Sequence, residues 1–279
     1  MTLREVQVQG TARLTEAGVE DSAFEAACLL ECATGFTRGQ CLCRAAEHMP
    51  QSAETQFFAM VARRTSGEPL QYILGKWPFY GRDFFVGKGV LIPRPETEEL
   101  VEKAIAVLKN KPRSTVFDLC AGSGCIGLTI AKEVPACDVY LFEKYDAAFG
   151  YLCKNAGTLQ VPNAHVLQAD IFNDVPPNGM QADLLLSNPP YIPKAELSAL
   201  QKEVRREPQT ALDGGADGLE FYRAIQQKWS PFVKKGGMLL MECGDGQGQS
   251  VADLFQSSAV QTKVLFDFQN IDRFVQVIV

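Results

Sequence analysis

Beyond Pro112 the sequence alternates short apolar runs with segments of helical periodicity, and that alternation leaves few architectures open. The runs fall at residues 115–119, 139–142, 165–167, 183–187 and 238–242, then at 262–266 and 274–279. Five strands separated by helices imply a parallel sheet with helices on both faces. Only residues 267–273 lie between the last two runs, too few for a parallel crossover, so these two are expected to pair antiparallel at one end of the sheet. The expected class is α/β, with five parallel strands and an antiparallel terminal pair.

The preceding third reads differently. Residues 2–74 suggest a small helical bundle with polar breaks. Asp21 is placed to cap a helix in which Phe24, Ala27, Cys28 and Cys32 recur at helical spacing and which Gly35 closes. Thr37 and Ser52 sit where two further helices start. Residues 79–92, rich in Phe and Val and broken by Gly81, Gly87 and Gly89, suggest a β-hairpin. Pro95 then suits the first turn of a helix, Glu96 and Glu98 suit its dipole, and Leu100, Val101, Ala104, Ile105 and Leu108 give it one apolar stripe. The expected division is a helical domain at 1–75, a hairpin linker at 76–93 and the α/β domain at 94–279.

Composition narrows the function. With 279 residues, 46 % hydrophobic and 22 % charged, the chain can bury a core and is too apolar for disorder. No apolar run approaches the ~18 residues that span a bilayer, and the first ten residues lack a signal-peptide layout, so no membrane contact and a cytoplasmic location are expected. The net charge of −6 argues against holding nucleic acid by its phosphates, and up to Tyr80 there are 7 basic against 9 acidic residues, with no basic face. Nine cysteines, an odd number, fit reduced thiols rather than a disulfide scaffold. Cys28, Cys32, Cys41 and Cys43 lack zinc-knuckle spacing and a clustered histidine; they are expected as small buried hydrophobes, and no metal is expected. His48 and His165 are isolated and read as structural. Lys234 and Lys235 read as a solvated turn, and residues 246–249 as a helix start.

Two motifs carry chemistry. In the first, Asp118, Leu119, Cys120, Ala121, Gly122, Ser123 and Gly124 take the chain from a strand through a small-residue loop into a helix. Gly122 and Gly124 lack a Cβ, so a ligand can approach the backbone. Glu143, 19 residues after Gly124 at the end of the next strand, has the spacing of a carboxylate that accepts ribose hydroxyls. This pattern fits a nicotinamide dinucleotide or S-adenosyl-L-methionine equally, or a plain tight turn.

The second motif decides between them. Asn188, Pro189, Pro190 and Tyr191 directly follow the fourth parallel strand, where ligands bind beyond the carboxyl ends. The prolines stiffen the backbone and remove two N–H donors, leaving carbonyl acceptors. The Asn188 side-chain oxygen and the Pro189 carbonyl can each accept one N–H of a planar NH₂ group, and the Tyr191 ring can cover its flat face. A proline-bounded loop would need none of this specificity.

Together the two motifs resemble class I S-adenosylmethionine-dependent amino-methyltransferases. With Glu68 to Gly75, Leu91 to Glu98, Asn155-Ala156, the region of Asp170, Glu207 to Tyr222 and Asp272-Arg273, nearly the whole chain is similar to the release factor glutamine N5-methyltransferases. The resemblance implies a substrate-recognition role for the helical domain and a seven-stranded class I methyltransferase sheet. It implies methyl transfer from S-adenosyl-L-methionine, leaving S-adenosyl-L-homocysteine, to the glutamine of the Gly-Gly-Gln motif in class 1 peptide-chain release factors. By position, Cys120, Ala121, Gly122, Ser123 and Gly124 would hold the methionine part of the cofactor, Glu143 the ribose, and Asp170 and Ile171 the adenine. Asn188, Pro189, Pro190 and Tyr191 would bind the glutamine, with Asn188, Pro189 and Tyr191 catalytic and Asn188 also touching the cofactor. Cys120 and Ala121 stand where the family usually has Gly-Thr, and Glu143 where Asp is frequent. Arg94 either borders the cofactor or caps the hairpin. A monomer without direct nucleic-acid contact is expected. The alternative is an amino-methyltransferase acting on adenine N6 or guanine N2, since a base amine is also a planar conjugated nitrogen; it would need a basic groove.

Overall fold

A computed structural model describes every residue except Pro112. The chain divides into two compact units, Met1–Lys76 with Gln201–Arg206, and Trp77–Leu200 with Glu207–Val279.

The first unit contains α1 (Leu3–Glu16), α2 (Ser22–Thr34), α3 (Arg38–Cys43), α4 (Gln51–Thr65) and α5 (Leu70–Leu74). Thr2 and Thr37 each make a capping box, with Glu5 and Gln40 respectively. Asp21 is the N-cap of α2 but makes no side-chain cap bond, and Gly35 closes that helix in the left-handed region at φ +70°. The buried face of α2 is Ala26, Ala27, Leu29 and Leu30; Phe24 and Cys32, expected on it, are exposed. Of the four N-terminal cysteines only Cys41 is buried, and Cys32 and Cys43 face solvent. Helix α4 begins at Gln51 after Pro50, so Ser52 lies inside the first turn rather than at its cap. Gly10 allows α1 to approach α4, because a Cβ there would fall 2.4 Å from the Phe57 ring. The guanidinium of Arg64, 3 % exposed, is paired with Glu25 and Glu203, which ties the returning segment 201–206 to this bundle.

The second unit opens with the hairpin of β1 (Lys76–Phe79) and β2 (Arg82–Phe85). Both turn residues, Tyr80 and Gly81, have positive φ, as a two-residue hairpin turn requires. The hairpin ends earlier than its apolar signal: Val86, Val90 and Ile92 are buried without strand pairing. There follow α6 (Pro95–Leu108), β3 (Thr115–Leu119), α7 (Cys125–Glu133), β4 (Asp138–Glu143), α8 (Asp146–Leu159), β5 (Ala164–Gln168) and β6 (Ala182–Ser187). The chain ends through α9 (Glu220–Ala224), β7 (Val233–Glu242), α10 (Gly248–Phe255), β8 (Gln261–Phe266) and β9 (Asp272–Ile278).

The sheet order is β5-β4-β3-β6-β7-β9-β8. β3 to β7 run parallel, and β9 pairs antiparallel with both β7 and β8. Strand side chains alternate between two cores. Val116, Leu141, Leu184, Leu186 and Leu240 join the stripe of α6 with α7 and α8. Phe117, Phe142, Leu185, Leu239 and Met241 meet Tyr222, Trp229, Val251 and Phe255 on the other face. Lys234 and Lys235, expected in a turn, lie within β7, whose pairing with β6 shifts register between Ala182 and Leu184. No helix among the described residues is long and apolar enough to cross a membrane.

Candidate active site

The carboxyl ends of β3, β4, β5 and β6 converge on one cavity, and each of these strands delivers a chemically distinct group to it. At the end of β3, Cys120, Gly122 and Gly124 all have positive φ, at +58°, +57° and +81°. Glycine adopts that region freely, whereas Cys120 carries a strain of ~1–2 kcal/mol there. Below the loop, Asp118 Oδ2 accepts the Gly127 N–H at 2.9 Å and pins the start of α7. A Cβ on Gly127 would meet that same oxygen at 2.8 Å, so only glycine lets the helix sit this close. Asp118 is fully buried and its Oδ1 has no partner; burial pushes its pKa up to about 7, against the pull of the Gly127 N–H.

Glu143 closes β4. Its Oε2 accepts the Gly122 N–H at 2.9 Å and its Oε1 the Tyr145 N–H at 2.8 Å. One lone pair remains on each oxygen for a ligand hydroxyl. Burial raises its pKa, and those backbone donors oppose the shift. Past β5, Asp170 accepts the Phe172 N–H at 3.0 Å and pairs with Lys144 at 3.0 Å. Burial opposes ionisation there, but these donors win and leave the carboxyl below its ordinary value. The next carbonyl, of Ile171, accepts Trp229 Nε1 at 3.0 Å, which fixes the backbone where an apolar ligand face would rest.

Beyond β6, Ser187 donates to the Leu119 carbonyl at 2.8 Å and holds β6 to β3 just before Asn188. Asn188 Nδ2 lies 3.3 Å from Thr97 Oγ1, and that hydroxyl lies 2.7 Å from Glu242 Oε2 at the end of β7. Pro189 and Pro190 are buried. Tyr191 is held by its backbone: its carbonyl accepts Gln247 Nε2 at 2.9 Å. Burial pushes its phenol up to about 12.

Several of these groups border a cleft that opens to solvent, the concave setting in which small-molecule cofactors bind. The expected residues Cys120, Ala121, Gly122, Ser123 and Glu143 line it, as do Asp170, Ile171, Asn188 and Pro190. Three do not. A Cβ on Gly124 would strike Leu152 at 2.5 Å, so that glycine serves helix packing; Pro189 and Tyr191 lie outside the lining. Arg94 does line the cavity, and it pairs with Glu207, whose other oxygen accepts the Ile92 N–H at 2.9 Å. Sequence reasoning gave no role to Thr97, Glu207 or Glu242. Glu242 stands at the carboxyl end of a parallel strand, where ligands gather, and that position was a usable signal. Among the described residues, no group of three or more His, Cys, Asp or Glu side chains has metal-binding geometry.

Residues 5–75 match the PrmC N-terminal domain family and residues 101–216 the methyltransferase small domain family. The chain is 38% identical to a release factor glutamine methyltransferase from Moorella thermoacetica, over 98% of this chain and 97% of that one. It is 35% identical to the protein of the same name from Bacillus subtilis, over 98% and 96%. Among solved structures it is similar in fold to the hMettl16 catalytic domain in complex with an RNA hairpin (TM-score 0.59, 12% identity, 81% of each chain). A methyltransferase from Pyrococcus furiosus also shares the fold (TM-score 0.50, 15% identity, 71% of this chain and 89% of that one). Identity and coverage of this extent place the chain in the release factor glutamine methyltransferase family.

Proposed function

We infer that the protein transfers a methyl group from S-adenosyl-L-methionine to the side-chain amide nitrogen (N5) of the glutamine in the Gly-Gly-Gln motif of class 1 peptide-chain release factors. One observation carries the reading: the glycine loop, Glu143, Asp170 and the Asn188 amide all open on the same cavity. The residues fit the cofactor. Glu143 keeps acceptor capacity for a ribose, the apolar side chains of Ile171 and Phe172 suit an adenine, and the loop at Gly122 leaves room for the methionine part. When bound, the cofactor supplies an electrophilic methyl group on a sulfonium with a good leaving group.

The chain's task lies with the nucleophile, whose lone pair is delocalised into its carbonyl. Asn188 Oδ1 and the Pro189 carbonyl accept the two N–H bonds of the glutamine amide and aim its nitrogen along the transfer line. Holding reactants at near-attack distance supplies up to ~7–11 kcal/mol. The two acceptors bind more tightly as positive charge grows on nitrogen, which is differential stabilisation of the transition state. The nitrogen sheds its proton to water after the bond forms, so no side chain is assigned as a general base. The protein is read as a monomer acting in the cytoplasm, where a release factor substrate is met. A nucleic-acid base shares the acceptor chemistry, but the net charge of −6 opposes a phosphate-binding surface.

The test is labelled S-adenosyl-L-methionine with purified release factor in Gly-Gly-Gln and Gly-Gly-Ala forms. Label on the first form alone is expected. Label on both forms rejects glutamine as the acceptor, and label on DNA or RNA instead favours the base reading.

A further inference from the structure

The mechanism above gives no role to Glu242, a buried acid beside Asn188's partner Thr97. Glu242 is 2 % exposed, at the end of β7, and among the described residues its side chain accepts one hydrogen bond, from Thr97. Thr97 lies in the first turn of α6, after Pro95 at its start, and is equally buried. The Tyr222 hydroxyl donates to the Glu242 carbonyl at 2.7 Å and fixes that end of the arrangement.

With Glu242 ionised, the order of donors along this chain is forced. A hydroxyl has one hydrogen, and an ionised carboxylate only accepts. With its hydrogen given to Glu242 at 2.7 Å, the Thr97 oxygen can only accept at 3.3 Å, so the part of Asn188 facing it has to be the NH₂. We propose that Thr97 and Glu242 are positioning residues that fix the Asn188 amide with its oxygen, not its nitrogen, toward the substrate. The proposal rests on the reading of function given above and deepens it. A flipped amide would turn N–H donors toward the N–H donors of a glutamine, and the acceptor that holds the nucleophile would be lost.

That order holds while Glu242 is ionised, and its surroundings act on the charge in both directions. Burial pushes Glu242 up to about 7, while Arg273 on β9 and Arg94 before α6 pull it toward its charged form and Glu96 opposes them. Cys125, Cys243 and Tyr191 are themselves pushed up to about 12 by burial, and burial raises Tyr222 well above its ordinary value, so they remain neutral around it. Glu242 is charged above neutrality; below it, a protonated Glu242 can donate to Thr97 and release the hydroxyl to compete for the Asn188 oxygen.

The measurement is kcat, KM for the release factor and cofactor affinity, across pH. Thr97→Val keeps the shape and removes the hydroxyl; kcat is expected to fall ~10- to 100-fold, with KM and cofactor affinity close to wild type. Thr97→Ser restores most of kcat. Wild-type kcat rises through pH about 7, and both Thr97→Val and Glu242→Gln lose that limb. Wild-type kcat and pH profile in Thr97→Val, or a Thr97→Ser enzyme as slow as the valine variant, overturns the proposal. Asn188→Ala run in parallel separates the two levels: slow turnover there with a normal Thr97→Val rejects the relay alone, whereas normal turnover in Asn188→Ala rejects the functional reading.

Discussion

Asn155 Nδ2 donates to the Ser123 carbonyl at 2.8 Å, so a buried amide on α8 holds the loop that leads into α7. The same side chain exchanges two bonds with Phe85 in the hairpin, its Oδ1 accepting at 2.7 Å and its Nδ2 donating at 3.1 Å. One residue therefore sets the loop's distance from β2. Asn155→Leu fills similar space but removes the buried bond to the Ser123 carbonyl, and a buried unsatisfied group costs ~1–3 kcal/mol. The denaturation midpoint should fall clearly, and cofactor affinity with it. A variant as stable as wild type would show that the loop is held by other contacts.

Tyr191 is positioned by glycines that it does not neighbour in sequence. A Cβ on Gly214 would lie 2.7 Å from Tyr191 Cα and 2.8 Å from its carbonyl carbon, both backbone atoms that cannot swing away. Gly214→Ala should displace the segment that carries Asn188 to Tyr191 and lower turnover by tenfold or more, since displacements of ~1 Å in an active site can cost ~100-fold. Cofactor affinity should change much less, because the Gly122 loop is remote from that contact. Steady-state kinetics beside a cofactor titration make the comparison.

Glu143 holds two backbone N–H groups with two oxygens. Glu143→Gln keeps the shape but has one acceptor oxygen, so an NH₂ would face an N–H. Losing a charge-assisted bond of ~1.5–3 kcal/mol should raise the cofactor dissociation constant by roughly 10-fold or more, read by calorimetry. An unchanged constant would remove Glu143 from the cofactor site.

Asp118 and Glu242 make stability depend on pH. Burial raises both carboxyls to about 7 in the folded protein, above ordinary values of 3.8 and 4.5. Acids whose folded pKa is raised stabilise the fold most in their protonated form. Their contribution is complete below the ordinary values and is lost as pH rises through about 7. Asp118→Asn should therefore flatten the decline in unfolding free energy between these limits, as seen in the wild-type minus variant difference. A difference that does not vary with pH would mean that Asp118 titrates normally.

The parallel sheet was legible because its central strands, β3, β6 and β7, are buried on both faces. β3 matches its apolar run at both ends, and the last two strands were identified from a connection too short to cross over. The errors share a cause, since burial in this chain is decided by distant partners. Val86, Val90 and Ile92 look like strand residues, but they are apolar because they pack beside and around the cavity. Lys234 and Lys235 look like a turn, but Lys234 reaches Asp183 at 2.7 Å and continues β7. The residues on the cavity wall could be identified where they formed contiguous motifs, as at Cys120 to Ser123 and at Asn188. The Thr97–Glu242 contact spans 145 positions, and no local pattern joins a helix start to the end of β7.

The most direct check of how this site works is the single-turnover rate of Asn188→Ala with saturating cofactor and Gly-Gly-Gln release factor. A loss of at least 100-fold with near-normal cofactor binding is predicted, because the variant keeps the glycine loop and Glu143 but no longer grips the amide. A rate close to wild type would mean that the glutamine nitrogen is held by other groups, and the assignment of this asparagine as its acceptor would be wrong.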